Sequence, residues 1–118
     1  MKRENPILEK SYKFAIRIVR LYQYLNREKK EYHLSVQILK SGTSIGANAE
    51  EAIGGFSKND FIAKLRISYK EAKETHYWIR LLRDTDYLSS KEAGSLLKDC
   101  EEILKIIVSI LKSSKENG

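Results

Sequence analysis

The chain has 118 residues and carries 22 Lys and Arg against 16 Asp and Glu, a formal net charge of +6 at pH 7. This length fits one domain, 1–118, that buries a core without disulfides or metal. One Cys and two His exclude a structural zinc site, and we expect no metal and no cofactor. A lone cysteine favours a reducing, cytoplasmic location, and no apolar run is long enough for a signal peptide or a membrane span.

The first predicted helix spans residues 6–28, with Asn5 as N-cap and Pro6 in the first helical position. Its apolar arc approaches half the circumference, which is wider than a surface helix needs. A thickly packed bundle and a second, intermolecular contact both explain that width. The predicted core face is Leu8, Ala15, Ile18, Tyr22 and Leu25, widened by Ile7, Phe14 and Leu21 on one side and by Tyr12 and Val19 on the other.

The opposite face of this helix carries a basic stripe with no acid in it. Steps of three and four residues align its members, which are Lys10, Lys13, Arg17, Arg20 and Arg27. Such a stripe is either an ordinary solvated face or a ridge that contacts phosphates.

The connection to the second helix holds the only hint of catalysis. Arg27 and His33 are separated by five residues, a spacing that one class of helical-bundle ribonucleases uses for acid–base chemistry and phosphate stabilisation. A two-residue match also arises by chance in a loop. We therefore predict no enzymatic activity and keep a ribonuclease as a remote alternative.

The second predicted helix spans residues 33–53 and contains two glycines one turn apart. Gly42 and Gly46 each cost about 1 kcal/mol relative to alanine, which indicates a closely approaching neighbour. Ser44, Asn48 and Glu51 follow each other at helical steps. We interpret them as polar ties to a neighbouring helix or subunit, since a catalytic Ser–Glu pair would lack a histidine base.

The third predicted helix spans residues 58–84 and begins at Ser57 as N-cap. It carries a second basic stripe with one aromatic residue aligned, made of Arg66, Lys70, Lys73, Tyr77 and Arg80. Aromatic rings among cations either stack on unpaired bases or cover the edge of the core. A further line, Ile67, Glu71, Glu74 and Trp78, predicts a subunit contact or a partly covered rim.

The pattern Ser44-Ile45-x-x-Asn48-x-x-Glu51, followed by Phe61-x-x-x-Leu65-x-Ile67-Ser68 and Glu74, resembles a known family. Its members are four-helix-bundle proteins encoded in intervening sequences of 23S ribosomal RNA genes, related to accessory proteins of diversity-generating retroelements. The chain departs from the family at Ala52, where glycine is common. The resemblance implies an up-down bundle, often a homopentamer, with a basic surface, suspected nucleic-acid or reverse-transcriptase partners and no enzymatic activity.

The fourth predicted helix spans residues 90–112 and shows apolar heptads, with Ser89 and Glu92 forming a capping box. Cys100 lies inside the heptads and is predicted to be an inert core thiol. We interpret a column of lysines at heptad spacing as a solvated face. Its members are Lys91, Lys98, Lys105 and Lys112. Four helices with short connections predict an all-α, antiparallel up-down-up-down four-helix bundle.

Three functions are compatible with this sequence. The first is an RNA- or DNA-associated homo-oligomer that binds through its basic stripes. The second is a scaffold or accessory factor that recruits a polymerase or another acidic protein. The third is the ribonuclease built on Arg27 and His33. No membrane partner is expected.

Overall fold

The computed structural model of the protein describes residues 5–116, which form four helices and no strand. These are α1 (Pro6–Arg27), α2 (Leu34–Ile53), α3 (Lys58–Asp84) and α4 (Ser90–Glu116). The predicted first and last residues of α1, α2 and α3 agree closely with those observed. α4 continues one turn past the predicted end at residue 112.

Where two contacts join the same pair of helices, the residue further along one helix contacts the residue less far along the other, as in antiparallel packing. Contacts between neighbouring helices include Asn26 with Ser35 across α1 and α2, Ser68 with Ile45 and Thr75 with Ser41 across α2 and α3, and Lys10 with Glu102 and Arg17 with Asp99 across α1 and α4. The all-α four-helix bundle is therefore confirmed, and these contacts fit its up-down-up-down order.

Three helices begin with the caps that the sequence predicts. The side chain of Asn5 accepts the N–H of Ile7 at 3.2 Å. Ser57 Oγ accepts the N–H of Asp60 at 3.1 Å. At the start of α4, Ser89 Oγ accepts the N–H of Glu92 at 3.1 Å, and the Glu92 carboxylate accepts the Ser89 N–H in return. Each cap satisfies donors that a helix leaves unpaired at its first turn.

The start of α2 uses a residue that the sequence did not single out. The buried Glu31 carboxylate accepts the backbone N–H groups of His33, Leu34 and Ser35 at 3.1, 3.0 and 2.7 Å. Burial by itself raises the pKa of Glu31, but these hydrogen bonds, with the charge of His33, outweigh it and hold that pKa below its ordinary value. Glu31 thus closes the first turn of α2 as an anionic cap.

The core face of α1 is rotated from its predicted centre. Its buried apolar residues are Ile7, Phe14, Ile18, Leu21 and Leu25. The predicted Leu8, Ala15 and Tyr22 are half-buried at the edge of the core. The apolar arc is wide enough to admit either centre, and packing against α2 and α4 selects the one observed.

Small residues let α2 pack closely against both neighbours. A methyl group built on Gly42 would lie 2.7 Å from Cγ1 and Cγ2 of Ile18 in α1, and one on Gly46 would lie 3.1 Å from Ser11 Oγ. The close neighbour that the glycines predict is therefore α1. On the α3 side, Ser68 Oγ donates to the Ile45 carbonyl at 2.7 Å.

Cys100 occupies the core as predicted. It is fully buried, and its thiol contacts the Ala72 carbonyl at 3.3 Å. Burial raises the pKa of Cys100 to about 12, so the thiolate needed for reactivity does not form near neutral pH.

Candidate nucleic-acid interface

The basic stripe of α1 is largely neutralised in the folded protein. Three of its five cations form ion pairs, namely Lys10 with Glu102 at 3.2 Å, Lys13 with Glu9 at 3.2 Å, and Arg17 with Asp99 at 2.6 Å. Arg17 also donates to Ser95 Oγ at 3.0 Å. The stripe itself contains no acid, but the antiparallel packing of α4 places Glu102 and Asp99 beside Lys10 and Arg17, and Glu9 of α1 pairs with Lys13.

The basic stripe of α3 keeps its charge. Arg66, Lys70, Lys73 and Arg80 are exposed, and none of them forms an ion pair with an acid in the described part of the chain. The Arg80 side chain donates to Nδ1 of His76 at 3.1 Å and lies over the ring of Tyr77, 5.8 Å from its centroid.

Lysines of α4 extend this charge across a groove. Two adjoining depressions of about 360 and 460 Å³ run between α3 and α4 and share Tyr69, Val108 and Lys112. We call them together the α3/α4 groove. Its cations are Arg66, Lys73, Lys105, Lys112 and Lys115, and its apolar floor is Ile62, Tyr69, Leu104, Val108 and Leu111.

Among the side chains that the structure describes, none of those lining the α3/α4 groove is acidic. Glu101 lies one turn before Lys105, and its carboxylate lies 2.9 Å from Nε2 of His76. Five cations around a low-dielectric floor make a positive surface that attracts anions from solution. The groove is therefore the part of the described surface best suited to a polyanion.

Sequence reasoning missed the α4 half of this groove. The lysine column containing Lys105 and Lys112 was visible as a heptad pattern, but it was interpreted as solvent-facing. The available signal was the antiparallel packing itself, which places that column beside Tyr69 and Lys73 of α3. Lys115 had no signal in the pattern.

Of the line Ser44, Asn48 and Glu51, one residue ties α2 to a neighbouring helix of the same chain, and a tie to another subunit stays a prediction. Ser44 Oγ donates to the Lys40 carbonyl at 2.6 Å, and Asn48 Nδ2 donates to the Ser44 carbonyl at 2.8 Å, so both bonds stay within α2. Glu51 does reach α3, where it pairs with Lys64 at 2.9 Å.

The buried polar ties between α2 and α3 are made by other residues. Thr75 Oγ1 hydrogen-bonds to Ser41 Oγ at 2.9 Å, and Ser68 bonds to the α2 backbone. Their signal was a small polar residue at a core position of each helix. Buried hydroxyl groups of this kind need partners. Thr75 and Ser41 provide them for each other, and the Ile45 carbonyl provides one for Ser68.

The outer line of α3, Ile67, Glu71, Glu74 and Trp78, is partly exposed within the subunit, and a subunit contact there stays a prediction. Glu74 accepts the indole N–H of Trp78 at 3.1 Å. Burial and, after it, the neighbouring Glu74 carboxylate raise the pKa of Glu71. Ile67 remains exposed.

Arg27 and His33 are both exposed and make no hydrogen bond or ion pair with each other in the part of the chain that is described. The backbone of His33 is engaged by Glu31. Within residues 5–116, no group of three or more His, Cys, Asp or Glu side chains is placed to hold a metal ion. None of the helices described is long and apolar enough to cross a membrane.

These features define a small all-α bundle with one strongly basic groove. The family model described as 23S rRNA-intervening sequence protein matches residues 3–109, and the chain belongs to that family. It is similar to a crystal structure from Bacteroides thetaiotaomicron VPI-5482, a protein of unknown function from the S23 ribosomal protein family. The two chains share 50% identity over 90% of this chain and 98% of the other, with a TM-score of 0.89. No curated protein matches the chain. Neither description names an enzymatic activity.

Proposed function

We propose that this protein is a non-enzymatic, nucleic-acid-associated bundle that binds RNA through the α3/α4 groove. The observation that carries the proposal is a set of five cations with no acid among them. The stripe of α1, by contrast, has three of its cations committed to carboxylates. The description of the family by a ribosomal RNA intervening sequence adds support for RNA over DNA.

Binding of this kind depends steeply on salt, because lysine and arginine release counterions from the phosphates they contact. The slope of log affinity against log salt is about 0.7 per phosphate on single strands and about 0.9 on duplex DNA. The five cations of the groove therefore limit the magnitude of this slope to roughly 3.5 for binding to a single strand. A smaller slope would mean that some lysines of the groove stay hydrated.

Reversing two charges in the groove tests the proposal directly. The double variant Lys73→Glu, Lys105→Glu is expected to bind RNA about tenfold or more weakly in low salt, with a salt slope lower by about 1.4 on a single strand. Fluorescence anisotropy with a labelled oligonucleotide measures both. The matched control is Lys40→Glu, Lys91→Glu, which changes the net charge equally at exposed lysines outside the groove. An equal loss in the control would assign binding to net charge alone, and no binding by the unaltered protein would overturn the proposal.

A protein partner is the second candidate, and the apolar floor of the groove supports it. An acidic amphipathic helix would place its apolar face on that floor and its carboxylates on the surrounding lysines. Purification from the native cell with and without nuclease separates the two candidates. A partner protein that remains after nuclease treatment and is lost in the Lys73→Glu, Lys105→Glu variant supports direct protein contact.

We also propose that the protein forms a homo-oligomer, with five subunits expected from the family resemblance. The supporting observation is an apolar patch on α1, where Tyr12, Ile16 and Val19 are 66, 46 and 36% exposed. A patch of this kind on a small bundle is suited to a subunit contact.

Charging the centre of that patch is expected to dissociate the oligomer. Ile16→Glu should give a monomer of 13.7 kDa by light scattering, whereas the unaltered protein gives a multiple of that mass. Ile53→Glu is the control, since Ile53 is similarly exposed at the end of α2. If the unaltered protein is a monomer, self-association is contradicted. If the Ile16→Glu protein keeps the mass of the unaltered protein, the interface does not include this patch.

A further inference from the structure

We propose that the α3/α4 groove, together with the basic stripe of α3 beside it, selects unpaired strands over duplexes, with Tyr69 in the groove and Tyr77 on the stripe as the surfaces on which bases stack. This inference rests on the proposed function, because it concerns the form of nucleic acid that the same surface takes. It follows from the apolar and aromatic content of the surface, which charge alone does not explain.

A duplex would not contact the apolar floor of the groove through its bases. A double helix turns phosphates and sugars outward and keeps the faces of its bases stacked inside, so it meets a basic surface through the cations only. An unpaired strand offers base faces as well as phosphates. Its bases can cover the apolar floor around Leu104 and Val108 while the lysines on both sides hold the backbone.

Tyr69 lies where the apolar floor of the groove meets its cations. It is half-buried in the floor and is shared by both depressions of the groove. Arg66 and Lys73 stand three residues before it and four residues after it on the same helix, which places a cation on each side of its ring. A base on the Tyr69 ring would have its flanking phosphates within reach of both cations.

Tyr77 provides a second ring, on the basic stripe of α3. Its side chain is 50% exposed. Trp78 packs edge-on against it with centroids 5.1 Å apart, and Arg80 lies over the ring. The indole of Trp78 is itself fixed by its hydrogen bond to Glu74. Tyr77 is thus held in place while half of its surface stays open to solvent.

The two tyrosines are spaced to serve one strand. Eight residues along α3 correspond to about 12 Å at 1.5 Å per residue. That length accommodates roughly three nucleotides stacked at 3.4 Å. Lys70 and Lys73 lie between the two rings along the helix, and neither is paired with an acid within residues 5–115. The stretch from Tyr69 to Tyr77 therefore places two phosphate partners between two stacking surfaces.

Binding of matched oligonucleotides tests the inference. Oligo(U) and oligo(dT) are compared with a blunt RNA duplex of equal length at one salt concentration, and the single strands are expected to bind at least tenfold more tightly. Trp78 is the only tryptophan of the chain and packs against Tyr77, so its fluorescence should change when a base stacks there. A duplex that binds as tightly as the single strands overturns this inference but leaves the proposed function standing. Absence of binding to either overturns both.

Conservative removal of each ring separates stacking from charge. Tyr77→Leu and Tyr69→Leu keep an apolar side chain and are each expected to weaken single-strand binding about fivefold while leaving duplex binding unchanged. Tyr32→Leu is the control, since Tyr32 is exposed before α2 and lies outside both the groove and the apolar patch of α1. Equal losses for single strand and duplex would make the rings structural and overturn the inference. A synthetic Glu- and Leu-rich amphipathic helix could also be tested as a competitor. If it displaces the bound nucleic acid, and the protein shows no preference for single strands over duplexes, the inference is overturned and a protein partner is favoured.

Discussion

Replacing Gly42 with alanine is expected to lower the free energy of unfolding by about 2 kcal/mol, although alanine is the better helix former. The added methyl group would lie 2.7 Å from two carbons of Ile18. Ile18 is fully buried, and its branched side chain has little freedom at χ1 to move aside. Overpacking of this kind costs up to about 3 kcal/mol, which outweighs the gain of about 1 kcal/mol in helix propensity.

The control for this prediction is the same substitution at Gly94 in α4. A methyl group there meets nothing within 4 Å, so Gly94→Ala is expected to raise the free energy of unfolding by up to about 1 kcal/mol. Urea denaturation followed by circular dichroism measures both changes. Stabilisation at both glycines would contradict the close packing of α2 on α1.

The helices were predictable because their signals are local. Caps such as Ser57 and Ser89 lie within three residues of the backbone groups that they satisfy, and apolar spacing marks each core face. Gly42 showed in the same way that something approaches α2. It did not show that the neighbour is Ile18, because the identity of a packing partner depends on the arrangement of whole helices.

The candidate site was only half predictable for the same reason. The basic stripe of α1 contains no acid in sequence, yet Asp99 lies 82 residues after Arg17 and pairs with it. Conversely, Lys105 belongs to an ordinary heptad column until α4 packs beside Lys73 of α3. Charges that cancel or reinforce each other across helices follow from packing, and periodicity within one helix does not contain that information.

Truncating Glu31 to alanine is expected to lower the free energy of unfolding by about 2 kcal/mol. Its carboxylate accepts three backbone N–H groups at the start of α2, and the Ser35 bond is buried. Loss of a helix cap costs about 0.5–2 kcal/mol, and hydrogen bonds to a charged group are worth about 1.5–3 kcal/mol. Glu28→Ala is the control, because Glu28 is exposed in the same connection and no side-chain partner in the described residues holds its carboxylate. Equal losses in the two variants would show that the capping interaction adds nothing.

The contribution of Glu31 should also depend on pH in a defined direction. Its pKa in the folded protein lies below the ordinary value of 4.5, because the three N–H groups outweigh the effect of burial. A depressed pKa in the folded state means that the stabilisation is complete above the unfolded value and is lost as the pH falls through the folded one. The difference in unfolding free energy between the unaltered protein and Glu31→Gln should therefore be retained above about pH 4.5 and shrink as the pH falls below it. Denaturant titrations at successive pH values measure that difference. A difference that grows on acidification would mean that Glu31 binds its proton more readily in the folded protein, and would contradict its role as an anionic cap.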